Sequence, residues 1–160
     1  MPDDSPPKDN AVELLEQGEQ ARVQGRNDEA RTAYDKAIPI FKAEGDRLGE
    51  ADALTGLGHL ESTLGHNDKA RAAYDMASLL YKAVGDHVGE ADVLRGLGDL
   101  ESKLSRNEEA RDAYDKAIPL FKTEGDHLGE ADALRGLGDL ESKLSRNKEA
   151  RDAYDKARLL

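Results

Sequence analysis

Cysteine and tryptophan are both absent from this sequence, and aromatic residues make up only 4% of its 160 positions. Without thiols the chain forms no disulfide and offers no thiolate to a metal. With so few large rings it cannot fill a thick core, so a thin architecture packed from alanine, leucine and a few tyrosines is expected. Positive charge is also in short supply: 23 Lys and Arg stand against 34 Asp and Glu, for a net charge of −11. Nucleic acids and anionic membranes both require a clustered basic surface, so neither is an expected partner. No apolar run reaches signal-peptide or membrane-span length, and a cytoplasmic chain is expected.

What the sequence has in abundance is itself. Ala30, Ala70, Ala110 and Ala150 recur at intervals of 40, as do Tyr34, Tyr74, Tyr114 and Tyr154, and Gly18, Gly58, Gly98 and Gly138. Residues 86–120 and 126–160 differ at five of 35 positions: Val88/Leu128, Val93/Ala133, Glu108/Lys148, Ile118/Arg158 and Pro119/Leu159. The units run approximately over 10–45, 46–85, 86–125 and 126–160, behind a lead at 1–9, "MPDDSPPKD", whose three prolines among polar residues read as disordered. The close copying, and a stop at Leu160 short of the "KTEGD" that ends unit three, suggest an excised piece of a larger signalling protein or an engineered chain.

Each unit holds two helical periods. In unit two, Leu54, Leu57, Leu60 and Leu64 form one apolar stripe, and Ala70, Ala73, Tyr74, Ala77 and Tyr81 form a second. Spacings of three and four place each set on one face of an α-helix. Gly85 suits a left-handed C-terminal cap and Asp86 an N-cap, while Asn10 suits the cap of the first helix. Pro39 and Pro119 fall inside second helices and should bend them. The predicted fold is all-α: eight antiparallel helices in four hairpins. No single hairpin buries its own stripes, but stacked identical units do.

Leu57, Gly58, Leu64, Gly65, Ala70, Tyr74 and Ala77, with the same residue classes 40 positions on, resemble the tetratricopeptide repeat. The 40-residue spacing and the "GDHLGEAD" junction resemble the longer variety of kinesin light chain-like proteins. The resemblance covers residues 10–160 and implies a right-handed superhelical solenoid whose first helices line a concave, protein-binding groove. Departures exist: Glu61, Glu101 and Glu141 stand where an aromatic residue is usual, and Gln17 stands where unit two has Leu57. Unit one therefore fits an end position with one wetter face. The carboxylate clamp of chaperone-binding members would fall at Leu15, Glu19, Gly56, Asp92 and Gly96, and the peptide-gripping asparagines of the longer variety at Gly56, Gly96 and Gly136; none of these residues fits either role.

Two glycines inside each first helix need separate reasons, since residues two apart point to opposite faces. Gly98 aligns with the small residue at which the helices of one hairpin touch, so it should admit Ala110 and Tyr114 closely. Gly96 has two readings: relief of crowding between neighbouring first helices, or room for a ligand's main chain on the groove floor.

The groove stripe itself reads Asp52, Thr55 and His59 in unit two, Asp92, Arg95, Asp99 and Lys103 in unit three, and Asp132, Arg135, Asp139 and Lys143 in unit four. One reading is a solvated face whose charges pair along their own helix; the other is a mixed-charge groove that recognises a peptide. His87 and His127 read as surface residues at the junctions, and His59 and His66 lack a third ligand at metal spacing. No serine has a histidine and an acid in a nucleophile arrangement. No catalytic residue, cofactor or metal is expected. The functional expectation is a non-catalytic scaffold that binds a protein or peptide of basic character in the groove. The alternative is a structural module that stacks head to tail, unit four of one molecule on unit one of the next.

Overall fold

The computed structural model describes residues 10–160; the predicted lead at 1–9 lies outside the described residues. Eight helices follow one another: α1 (Ala11–Val23), α2 (Asn27–Glu44), α3 (Arg47–Thr63), α4 (Asn67–Val84), α5 (His87–Lys103), α6 (Asn107–Glu124), α7 (His127–Lys143) and α8 (Asn147–Arg158). No strand occurs among the described residues.

The capping residues act as their chemistry dictates. Asn10 accepts a hydrogen bond from the Val12 amide at 3.0 Å. Asp46, Asp86 and Asp126 accept from the amides of Gly49, Gly89 and Gly129, each at 2.9 Å. These bonds satisfy amides that an α-helix start leaves without a carbonyl. At the other end of the second helices, Gly45, Gly85 and Gly125 take φ of 73°, 75° and 71°, the left-handed region that stops a helix at little cost. α2 and α6 run through Pro39 and Pro119 to their capping glycines, and both prolines lie on the solvent side. An outward proline leaves the buried stripe of its helix untouched.

Each hairpin packs against the next, and the described residues form an α-solenoid of stacked helical hairpins. Successive first helices touch one another, whereas successive second helices do not touch among the described residues. First helices therefore line the inner, tighter side of the curve. The core is a thin layer of small residues and single rings: Ala30, Tyr34, Ala37 and Phe41 pack on Ala53 and Leu60, and Ala70, Tyr74 and Ala77 pack on Val93 and Leu100.

The repeated tyrosine is the centre of each junction. A Cβ built on Gly58 would lie 2.6 Å from Cε1 of Tyr74, and one on Gly98 2.7 Å from Cε1 of Tyr114. The expected close approach at Gly98 is thus made by a tyrosine ring. Gly96 has a different reason from both sequence readings. A Cβ there would lie 3.1 Å from Cζ of Tyr74, the ring of the preceding second helix. Gly96 is buried, so the space that a ligand main chain would need is already taken by Tyr74. Each internal ring is clamped between two glycines: Tyr34 by Gly18 and Gly56, Tyr74 by Gly58 and Gly96, Tyr114 by Gly98 and Gly136.

Candidate functional site

Seen from the concave side, the tyrosine rings pass between the glycines and present their hydroxyls to the groove. Tyr34 donates to Glu19, Tyr114 to Asp99 and Tyr154 to Asp139, each at 2.6 Å across a sequence separation of 15. In unit two the same place is held by His59, whose Nδ1 lies 2.8 Å from the Tyr74 hydroxyl, with the rings edge to face. Burial first, and then the adjoining carboxylates, raise the Tyr34 and Tyr114 hydroxyl pKa values. At neutral pH these groups therefore remain donors, and each fixes the carboxylate it faces.

The predicted groove residues divide into three sets. Asp52 accepts from the hydroxyl of Tyr81 at 2.6 Å; burial raises its pKa, and that bond partly offsets the rise. Thr55 bonds back to the Ala51 carbonyl at 2.8 Å and stands 3.3 Å from the same hydroxyl. These two residues, with His59, are thus held by second-helix rings. In the second set, Asp92 and Asp99 flank Arg95 at 3.3 and 3.8 Å, and Asp132 pairs with Arg135. These are the along-helix pairs that the spacing predicts. The third set is assembled only by the fold: Asp99, Lys103, Asp139 and Lys143 line one cleft of about 500 Å³ between α5 and α7, with Tyr114 and Tyr154 at its wall. Lys143 reaches across it to donate to the Ser102 carbonyl at 3.2 Å.

Sequence reasoning missed Glu19 and Arg22, which pair at 2.6 Å and extend the groove into unit one. For Glu19, burial pushes the carboxyl pKa up, but the bonds from Arg22 and Tyr34 outweigh it and the net shift is downward. The separation of 15 between an acid and a tyrosine in units one, three and four was the available signal. It gains meaning only once the crossing of the two helices is known.

Glu61, Glu101 and Glu141, read from sequence only as departures from the aromatic pattern, are 2%, 6% and 4% exposed and form a ladder between units. Arg31 of α2 bonds Glu61 of α3 at 2.7 Å, Arg71 of α4 bonds Glu101 of α5 at 2.7 Å, and Arg111 of α6 bonds Glu141 of α7 at 2.6 Å. His66 adds a second contact to Glu61. Burial opposes ionisation of Glu61, yet the bonds from Arg31 and His66 hold its pKa below the usual value. Buried acids of this kind persist because the partner cation and the hydrogen bonds arrive together.

His87 and His127 open α5 and α7 and are exposed. Among the described residues no three His, Asp or Glu side chains gather closely enough to hold a metal ion, and no helix is long and apolar enough to cross a membrane.

Comparison with known proteins agrees with this architecture. No curated protein matches the sequence. The crystal structure of BtubC (BKLC) from P. vanneervenii superposes with a TM-score of 0.82 over 96% of this chain, at 19% identity. The chain spans 65% of the length of that protein, and at such identity the likeness is one of fold. The family profile described as tetratricopeptide repeat matches residues 11–83, 67–123 and 90–158 in overlapping segments. The chain belongs to the tetratricopeptide repeat family.

Proposed function

We propose that this chain is a non-catalytic, cytoplasmic scaffold whose concave groove binds a peptide or protein segment of basic character. The observation that carries the reading is the tyrosine-anchored ladder Glu19, Asp99 and Asp139 along first helices whose remaining groove positions are polar or charged. Its carboxylates are oriented before any ligand arrives, so a cationic side chain meets acceptors that need little reordering. Arg95, Lys103, Arg135 and Lys143 sit among them and would select segments that also carry acidic groups. The net charge of −11 adds long-range attraction for a basic partner. The tetratricopeptide family mediates protein–protein interaction in general, which supports the class of function and leaves the ligand to be found.

The test captures partners on the wild-type chain and on a variant with Asp92→Asn, Arg95→Ala, Asp132→Asn and Arg135→Ala, then maps the bound segment by cross-linking. None of these four residues holds a tyrosine hydroxyl, so the fold keeps its anchors. A groove ligand should be lost from the variant and should weaken with added salt. Capture that is indifferent to salt and equal on both chains would remove the groove from the account.

A further inference from the structure

On the outer side of the curve, α4 and α6 stand apart, and the gap between them is floored by α5. In unit one the wall of the corresponding gap carries Ile38, and in unit three Ile118; each packs against two apolar clusters. Unit two has Ser78 at the same place. A serine there leaves space that neighbouring side chains close only in part, and the floor shows it. Leu54 and Leu134, which follow an isoleucine unit, are each 5% exposed, whereas Leu94, which follows Ser78, is only half-buried. The result is an open cleft of about 590 Å³ over Leu94 and Leu97. That volume lies within the range of about 300–1,000 Å³ usual for ligand sites.

The same unit alters the rim. α4 exposes Met76 and Leu79, where α2 has Lys36 and Pro39 and α6 has Lys116 and Pro119. With Ala72 and Ala83, at spacings of three and four, they form an apolar stripe on the outer face of α4, and Leu79 joins that stripe to the cleft. Most charges around the cleft are already engaged: Arg71 bonds Glu101 at 2.7 Å and Lys116 bonds Asp112 at 2.5 Å. Asp75 on α4 and Glu109 on α6 line opposite walls and form no ion pair among the described residues. Burial raises the Asp75 carboxyl pKa, Arg71 offsets part of the rise and Glu101 adds to it.

We infer that this cleft is a second docking site, on the side opposite the groove, for a segment of another protein that carries large apolar side chains bordered by lysine or arginine. The apolar residues would fill the space that isoleucine takes in units one and three, and the cations would meet Asp75 and Glu109. An acidic segment is disfavoured by those carboxylates and by the net charge of −11. Both walls belong to units that already have a neighbour on each side, so a further repeat stacked at either end would leave the cleft open. It shares no lining residue with the groove cleft between α5 and α7, and both can be occupied at once.

The test titrates the 160-residue protein with the end-blocked peptide Lys-Leu-Phe-Lys and follows backbone amide resonances. Saturable shifts are expected at Ser78, Leu79, Leu94 and Leu97, and not along the groove stripe. Ser78→Ile restores the residue of units one and three, so it should fold normally and abolish those shifts. Asp75→Asn with Glu109→Gln should weaken binding about two- to fivefold, the scale of exposed ion pairs. The peptide Glu-Leu-Phe-Glu should bind about tenfold less tightly than its basic counterpart. The inference is overturned if no saturable shift appears, if the shifts survive Ser78→Ile or map to the groove, or if the acidic peptide binds equally well. Two other occupants would also overturn it. Movement of the resonances of residues 1–9 in Ser78→Ile would place the chain's own lead in the cleft. A mass that rises with concentration, and no longer does so in Ser78→Ile, would place a second copy there.

Discussion

His59 occupies the place that Glu19, Asp99 and Asp139 hold in the other units, and the exchange gives unit two a titration the others lack. Burial, then the positive charges of Arg22 and Arg95, push its pKa below the usual 6.5, with Glu19 and Asp92 opposing. The folded state thus binds a proton less readily than the unfolded chain. Its contribution is present in full above pH 6.5 and is lost as pH falls through the lower, folded value. Thermal melts from pH 8 downward should show a decline in Tm beginning near pH 6.5. His59→Asp restores the residue type of units three and four and leaves Tyr74 an acceptor, so its Tm should fall less over the same window. Parallel curves for the two proteins would show that His59 does not carry the effect. The position of His59 in the groove stripe was legible from spacing. Its bond to Tyr74 was not, because sequence periodicity does not say which ring crosses which helix.

At the scale of one helix, the two interior glycines make unequal demands. Alanine in place of glycine favours an isolated helix by about 1 kcal/mol. Against that stands the ring each glycine receives. At Gly98 a Cβ would stand 2.7 Å from Tyr114, whose ring is held between Gly98 and Gly136 and tethered to Asp99, so it cannot swing away. Overpacking of this sort costs about 1–3 kcal/mol, and Gly98→Ala should lower stability despite the better helix propensity. At Gly96 the nearest ring atom is 3.1 Å away, a gap that a shift of a few tenths of an ångström relieves. Gly96→Ala should therefore be near neutral. Chemical denaturation of the two variants ranks them, and an equal loss in both would refute the clamp as the source of the difference. The helix periods, the caps at Asn10 and Asp86, and the contact at Gly98 were readable because each depends on neighbours within one hairpin. Gly96, Glu61, Glu101 and Glu141 were not, because their partners come from the preceding unit.

For the whole molecule, stability is a sum over junctions between adjacent units. The two ends differ in what they lack. α1 replaces the apolar stripe with exposed Glu and Gln, so its outer side suits water. α8 keeps the interior design, with Tyr154 part-exposed and Leu159 at 83% exposure. One junction fewer supports α8, so hydrogen exchange should be fastest there among the helices, with protection rising toward α4 and α5. Protection in α8 equal to that in α4 would refute the additive account of the junctions. The wetter face of unit one was visible from Gln17, which breaks an apolar position kept by the other three units and is exposed. The pairing of Arg31, Arg71 and Arg111 with their glutamates was hidden among the 36% of charged residues, most of which are solvated.

By itself, the sequence determined the helices, their order, the 40-residue unit and the polarity of the first face, because these follow from local spacing, capping chemistry and self-similarity. The tertiary structure alone decided which glycine receives which ring, which glutamates are buried against arginine, and which charges share a cleft. Those facts depend on the crossing of helices from different units, and a one-dimensional period carries the repeat of such contacts but not their geometry.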